Sequence, residues 1–262
     1  MKINGLGKRQ TPREGDYYRN DGILICGKCG REREWHGFFP GVGDTWAACV
    51  CLCDMQGRIE DEKAKAIADR KKLAMVRRNW AFPTGSDLGN IRFDQDDKKN
   101  IEASKAVYQY ARYIPKHIQE GNNLLLFGDV GTGKSFFAAA VVNYAIDAGY
   151  RCLFTSFPEV VNEMMQTHDK KGLIDDIRSY DLVVFDDFGI ERNTEFVNEQ
   201  IYQVVNARYL AKKPMIITTN MDRRELNPED MNKKRIVSRI LERAVVVSVN
   251  GEDRRTAKFR RT

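Results

Sequence analysis

The chain has 262 residues, of which 42% are hydrophobic and 31% are charged. This composition suits a folded protein with a large domain, or a medium and a small one, and it excludes an intrinsically disordered chain. No apolar run approaches the roughly 20 residues of a membrane-spanning helix, and the first residues lack the apolar core of a secretory signal. We therefore expect a cytoplasmic protein with no membrane partner. The net charge of +6 is only weak support for a polyanionic partner.

Five of the six cysteines lie within residues 26–53, and in a reducing compartment such a cluster indicates metal binding rather than disulfides. A C-x2-C pair comes first, and three cysteines in a C-x-C-x-C run follow about twenty residues later. Two pairs of thiolates at this spacing predict a tetrahedral Zn²⁺ site of the zinc-ribbon type. The favoured ligands are Cys26, Cys29, Cys51 and Cys53, with Cys49 as the main alternative and His36 as a more distant one.

Four aromatic residues lie between the two groups of cysteines: Trp35, Phe38, Phe39 and Trp46. We expect them to form the small core of this domain, because so short a segment has few other apolar side chains. The alternative is that they stack on nucleic-acid bases, assisted by neighbouring arginines.

The pattern changes along the rest of the chain. Residues 57–80 contain good helix formers among charges and predict a helix, and Pro83 and Gly85 then break the pattern. From about residue 98, apolar runs alternate with helical patterns, which predicts a parallel sheet with crossover helices. The predicted strands are 123–127, 152–156, 182–186, 215–219 and 245–249, and the predicted helices lie near 135–148, 158–166, 194–212 and 232–241.

Residues 128–135, with the sequence GDVGTGKS, match the phosphate-binding pattern G-x4-G-K-[ST] in full. An apolar strand precedes this loop and a helical pattern follows it, so the N-terminus of a helix faces the phosphates. Lys134 is expected to bind the β- and γ-phosphates, and the Ser135 hydroxyl to ligate Mg²⁺. The predicted ATP-binding residues are Gly128, Asp129, Val130, Gly131, Thr132, Gly133, Lys134 and Ser135.

Two later strands end in polar side chains that suit nucleotide hydrolysis. Asp186 and Asp187 follow an apolar run, and we expect Asp186 to hold Mg²⁺ and Asp187 to polarise the attacking water. Asn220 follows another apolar run. If that strand lies between the other two, Asn220 orients the water near the γ-phosphate; otherwise it is a turn residue.

Three arginines recur at a spacing of four residues near the C-terminus, at Arg235, Arg239 and Arg243. On a helix this spacing places them on one face, and no acidic residue is expected beside them there. We identify Arg239 as a candidate arginine finger, which would stabilise the charge that develops on the ATP of a neighbouring subunit. The alternative is a solvated or nucleic-acid-binding face.

Together, these motifs and the closing NGEDRR of residues 250–255 resemble the DnaC/DnaI-type helicase loaders, whose core is shared with the IstB-like helper ATPases of transposition. The resemblance covers about residues 85–262. It implies an α/β, doubly wound, parallel five-stranded AAA+ P-loop ATPase domain there. A helical linker at 57–84 would join it to a zinc-ribbon-like domain at 1–56. It also places Arg255 at the sensor-2 position that contacts the nucleotide, with Arg254 as the alternative.

The resemblance further implies a function: ATP-dependent loading of a replicative hexameric helicase onto single-stranded DNA by an ATP-dependent homo-oligomer. DnaI-type loaders carry a zinc-bearing N-terminal domain that docks on the helicase, whereas IstB-type helpers more typically carry a helical N-terminal part. The cysteines therefore favour a loader. The first alternative is a transposition helper that binds duplex DNA, and the second is a DNA-binding adaptor whose ATPase fold serves only as a brace.

Overall fold

The computed structural model describes residues 7–189 and 194–254. The chain divides into two compact units, Met1–Arg70 and Lys71–Thr262. Within the described ranges, no helix combines the length and the apolar character that crossing a membrane requires.

The N-terminal unit is built from two small antiparallel sheets followed by the start of a long helix. Its elements are β1 (Tyr17–Tyr18), β2 (Leu24–Ile25), β3 (Glu34–Phe39), β4 (Gly43–Ala48) and α1 (Leu52–Ala81). Polar contacts supplement its few buried apolar side chains. The fully buried carboxylate of Glu34 accepts hydrogen bonds from the Arg9 guanidinium, at 2.6 Å, and from the Leu24 N–H, at 3.1 Å. Buried charges of this kind need such partners.

The prediction that the four aromatic residues form the core of this unit is wrong for two of them. Phe38 is 72% exposed and Trp35 is 40% exposed. The reason is that β3 and β4 form an isolated two-stranded hairpin, which has too few neighbouring elements to cover both of its faces.

The predicted helix at residues 57–80 is observed as the 30-residue helix α1, which begins earlier, at Leu52. It ends at Ala81, two residues before Pro83. A proline disfavours helical backbone in the residue before it, which explains this end. In the part of α1 that belongs to the second unit, Ala74 and Ala81 are buried.

The second unit is a five-stranded parallel sheet flanked by helices, as the sequence predicts. Its elements are α2 (Ile101–Arg112), α3 (Ile114–Glu120), β5 (Asn123–Phe127), α4 (Lys134–Asp147), β6 (Cys152–Ser156), α5 (Phe157–Gln166), α6 (Lys170–Ser179), β7 (Leu182–Phe188), α7 (Glu195–Leu210), β8 (Met215–Thr219), α8 (Met231–Leu241) and β9 (Ala244–Ser248). Helices α2, α3 and α6 were not predicted from the sequence. Strand β7 is two residues longer than the predicted strand 182–186, and β9 begins and ends one residue before the predicted strand 245–249.

Successive residues of the central strand β5 point to opposite faces of the sheet, and both faces are covered. Leu124 and Leu126 pack in one core cluster, which contains Phe137 of α4. Leu125 packs in a second cluster, which contains Val204 of α7. Because both faces of a parallel sheet are buried, its strands have continuous apolar runs instead of alternation.

The order of the strands in the sheet is β6-β7-β8-β5-β9. Strand β8 therefore lies between β7 and β5, the condition on which the predicted role of Asn220 depends. The carboxyl ends of parallel strands meet at one edge of the sheet, where open α/β folds bind their ligands. The loops after β5, β7 and β8 are thereby brought together.

Candidate functional site: a phosphate-binding loop and a thiol cluster

A cavity of about 300 Å³ lies at the carboxyl edge of the sheet. The residues that line it come from four separate parts of the sequence and include Gly133, Lys134, Ser135, Asp187, Asn220 and Arg254. Five of these six were predicted for the nucleotide site, and Arg254 was the alternative to Arg255. The structure thus brings one set of predicted residues into one place.

Glycines of the 128–135 loop adopt conformations that other residues rarely adopt. Gly128, Gly131 and Gly133 have φ values of 141°, 76° and 103°. Space also requires glycine, since a Cβ at Gly128 would lie 2.4 Å from the carbonyl oxygen of Val249, and one at Gly131 would lie 1.9 Å from a carboxylate oxygen of Asp253. The loop therefore depends on glycine both for its own turns and for the close approach of the segment after β9.

Lys134 is 5% exposed and its ammonium lies inside the loop. The Nζ atom donates to the carbonyl oxygens of Gly128, at 2.8 Å, and Asp129, at 2.6 Å. These two hydrogen bonds hold the buried ammonium in place, so it is a fixed positive charge at the start of α4. With the positive end of the helix dipole, it favours an anionic ligand at this position.

Ser135 and Asp186 meet although they lie in different elements. The Ser135 hydroxyl donates to Oδ1 of Asp186 at 2.9 Å. Burial raises the pKa of the Asp186 carboxyl, and hydrogen bonds from Thr218 and Ser135 act in the opposite direction. A hydroxyl and a carboxylate at this separation are oxygen donors of the kind that Mg²⁺ prefers in nucleotide sites. The two residues present thus fit the predicted Mg²⁺ ligands.

Asp187 has a left-handed backbone, with a φ of 57°, and is one of the residues that line the cavity. The pairing of β7 with β8 shifts here: Phe185 pairs with Ile217, but Phe188 pairs with Thr219. Three steps along β7 therefore match two along β8, which is a β-bulge. Such bulges occur beside active sites and redirect a side chain. Sequence reasoning did not find this bulge, and no pattern of apolar residues marks it.

Arg254 lies against the phosphate-binding loop. Its backbone N–H donates to the carbonyl oxygen of Gly131 at 2.9 Å, and its guanidinium forms an ion pair with Asp97 at 3.1 Å. A Cβ at Gly133 would lie 3.0 Å from Nη1 of Arg254. Arg255 lies outside the described residues. Sequence reasoning did not identify Asp97, which is far from Arg254 in the sequence and close to it only in the fold.

Arg235 and Arg239 lie one turn apart on α8, as predicted, but the prediction that Arg243 shares their helix face is wrong, because α8 ends at Leu241. Nor does Arg243 lack an acidic neighbour, since its Nε lies 3.8 Å from a carboxylate oxygen of Glu242.

The Arg239 side chain makes its contacts within its own chain. Its Nε donates to Oδ1 of Asn206, and its Nη2 to the hydroxyl of Tyr202, both at 2.9 Å. Its guanidinium also lies 4.6 Å from the centre of the Tyr202 ring, a separation at which cation–π attraction operates. To act on a neighbouring subunit, the side chain would have to leave these contacts.

In the N-terminal unit, the thiols of Cys26, Cys29, Cys51 and Cys53 lie within 4.8 Å of one another. Tetrahedral Zn²⁺ with Zn–S bonds of about 2.3 Å places its sulfurs roughly 3.8 Å apart, so this set fits a zinc ion with small adjustments. These are the four favoured ligands. The alternatives Cys49 and His36 are not in the group. Burial raises the pKa of Cys49, whereas the backbone N–H of Arg31 is the main cause that lowers the pKa of Cys29 to about 6.

The sheet order and the loop at its edge define a P-loop ATP-binding protein with the AAA+ fold. The chain belongs to the IstB-like ATP binding protein family, whose profile matches residues 43–262.

Among its relatives, the chain is similar to the replicative helicase loader DnaI of Bacillus subtilis, with 26% identity over 247 residues, 88% of this chain and 78% of the loader. It is also similar to an insertion sequence ATP-binding protein of Sinorhizobium fredii, with 27% identity over 229 residues, 82% of this chain and 75% of that protein. A crystal structure of DnaI has the same fold, with a TM-score of 0.58 and 19% identity, over 68% of this chain and 98% of that one.

Proposed function

We propose that this protein is an ATP-dependent loader of a replicative ring helicase onto single-stranded DNA. One observation carries the proposal: the match to the helicase loader DnaI extends over 88% of this chain. A span of that length necessarily reaches from the ATP-binding unit into the segment that bears the cysteines. The predicted division into a zinc-binding domain at 1–56, a linker at 57–84 and an AAA+ ATPase domain at 85–262 belongs to this proposal.

In the proposed mechanism, the 128–135 loop binds the phosphates of ATP, and Lys134 and the N-terminus of α4 provide the positive charge. Ser135 and Asp186 would hold Mg²⁺, which neutralises charge on the phosphates when it is bound. Asp187 and Asn220 line the same cavity, and there they orient and polarise the attacking water. ATP binding favours assembly of a homo-oligomer on single-stranded DNA, and hydrolysis resets it.

The N-terminal unit supplies the contact with the helicase. Its four thiols would hold Zn²⁺, and because Cys26 and Cys29 follow β2 while Cys51 and Cys53 lie at the start of α1, a bound ion would cross-link these two segments. Phe38 and Trp35 are exposed on the β3–β4 hairpin, and exposed aromatic side chains commonly mark protein-binding surfaces. The proposed partner at this unit is the hexameric replicative helicase, as for the relatives that are named helicase loaders, and the protein acts in the cytoplasm.

The function is tested by capture of the hexameric replicative helicase of the same genome by this protein, with ATPase assays run in parallel. ATP hydrolysis is measured without DNA, with single-stranded DNA and with duplex DNA. Capture of the helicase and stimulation by single strands are expected. Stimulation by duplex DNA alone, without capture of the helicase, would refute the loader and indicate the transposition helper.

Arg254 is expected to contribute to nucleotide affinity, because its guanidinium lies beside Gly133 at the phosphate loop. We predict that Arg254→Ala raises the KM for ATP about tenfold, as loss of a charge-assisted hydrogen bond does. Steady-state ATPase kinetics measure this change. Arg223→Ala, at an exposed position, is the control and should keep the wild-type KM. An unchanged KM in Arg254→Ala would leave Arg255 as the sensor-2 residue.

Arg239 is proposed as the arginine finger, and a mixing experiment separates that role from its contacts with Asn206 and Tyr202. Arg239→Ala is expected to lower ATP hydrolysis about 1,000-fold and to retain ATP binding. Addition of a Lys134→Ala variant, which has an intact Arg239 but a defective ATP site, should restore activity. If Arg239 only braces its own subunit, mixing will restore nothing and the variant will melt at a lower temperature.

A further inference from the structure

We propose that Thr218 is a positioning residue for ATP hydrolysis, whose hydroxyl holds the Asp186 carboxylate and the Asp187 backbone of β7 in their working geometry. The inference rests on the proposed ATPase function and adds a residue to it. Thr218 lies on β8, two residues before Asn220, and is fully buried. Neither phosphate nor water needs to touch it for this role.

The hydroxyl of Thr218 links both aspartates. It donates to Oδ1 of Asp186 at 2.5 Å and accepts from the backbone N–H of Asp187 at 2.8 Å. A hydroxyl has one proton to donate, and here that proton goes to the carboxylate, so the direction of both bonds is defined. One side chain thus fixes the side chain of one aspartate and the backbone of the next.

The position of Thr218 opposite the β-bulge explains why such a link is needed. The residues paired on either side of the bulge leave Asp186 and Asp187 opposite Thr218 alone, so the regular pairing of β7 with β8 is interrupted at Asp187. The left-handed φ of Asp187, 57°, is unfavourable for a residue other than glycine unless its surroundings impose it. The bond from the Asp187 N–H to Thr218 is such a constraint, and it keeps the Asp187 side chain in the cavity.

Oδ1 of Asp186 also accepts from Ser135 at 2.9 Å. Thr218 therefore sets the orientation of the carboxylate that faces the hydroxyl at the start of α4. Partners of this kind, which orient a metal-binding carboxylate without binding the metal, typically change metal affinity or activity by 10- to 100-fold when they are removed. Through Thr218, strand β8 positions Asp186 and Asp187 of β7, in addition to the Asn220 that follows β8.

The test compares Thr218→Val, which keeps the shape and removes the hydroxyl, with Thr218→Ser, which keeps the hydroxyl. In Thr218→Val we expect kcat to fall and the Mg²⁺ concentration for half-maximal activity to rise, each about 10- to 100-fold. The affinity for a fluorescent ATP analogue without Mg²⁺ should be unchanged, and Thr218→Ser should restore most of the activity.

Thr219→Val is the matched control. Thr219 is equally buried, and its hydroxyl donates to the carbonyl oxygen of Phe188 at 2.6 Å instead of to a carboxylate. Both valine variants should lower the melting temperature similarly, but only Thr218→Val should alter the Mg²⁺ dependence. Equal losses in both, or wild-type kcat and Mg²⁺ dependence in Thr218→Val, would overturn the inference. If the wild type hydrolyses no ATP, the proposed function fails, and the Mg²⁺ dependence of analogue binding still tests Thr218.

Discussion

Replacing Lys134 with alanine is expected to reduce ATP hydrolysis about 100-fold or more. The ammonium is buried within the loop, where two backbone carbonyls direct it, so no other described side chain of the loop can supply that charge. Removal also takes a donor from both carbonyl oxygens, of which, among the described residues, only that of Asp129 keeps another, the Thr132 hydroxyl, and it lowers the affinity for nucleotide as well as the rate. Hydrolysis assays and titration with a fluorescent ATP analogue measure both effects.

Lys171→Ala is the control for Lys134→Ala. Lys171 is an exposed residue of α6 in the same unit, and its removal should leave hydrolysis at the wild-type rate. If Lys134→Ala keeps wild-type helicase capture and DNA binding without hydrolysis, the adaptor alternative gains support. Wild-type hydrolysis in Lys134→Ala would contradict the phosphate site itself.

Replacing Cys51 with serine is expected to remove zinc from the protein and to unfold much of the N-terminal unit. Cys51 is 1% exposed and its thiol lies within the four-thiol cluster. Structural zinc contributes binding free energy on the order of 10–16 kcal/mol in small domains, and that energy is folding energy. The unit has few buried apolar residues with which to compensate. Metal analysis should find about one zinc per chain in the wild type and none in Cys51→Ser.

Cys49→Ser provides the matched comparison, because Cys49 lies two residues away and outside the cluster. It should retain zinc and the protease resistance of the wild type. The reverse result, with zinc lost in Cys49→Ser and kept in Cys51→Ser, would show that Cys49 is the ligand. Release of zinc by a chelator should also expose the N-terminal unit to proteolysis and leave the ATP-binding unit resistant.

Local features of the chain were predictable where the chemistry lies in contiguous residues. The eight residues of the phosphate loop carry their pattern together, and the apolar runs of β5 and β8 mark buried strands because each is apolar on both faces. The three additional helices were harder to predict. Helix α6 has only one buried residue, Ile177, so its apolar pattern is weak.

The aromatic residues of the N-terminal unit show the limit of composition as a guide. Apolar side chains usually lie inside, but the hairpin of β3 and β4 offers no second layer for Phe38 to pack against. The buried positions of this unit include Leu24 and Ile25, the carboxylate of Glu34, and the thiols of Cys26 and Cys51. The burial of a side chain depends on which elements pack beside its own element. The residues of that element alone do not determine its neighbours.

The sequence by itself determined the nucleotide loop, the class of the sheet and the group of cysteines from which ligands come, because each depends on residues near one another in the chain. Only the tertiary structure decided that β8 lies between β7 and β5, that a bulge turns Asp187 into the cavity, and that Arg254 reaches Gly133. It also decided that Arg239 binds Asn206 and Tyr202. These features depend on contacts between distant residues, and many strand orders and side-chain pairings are compatible with the same local pattern.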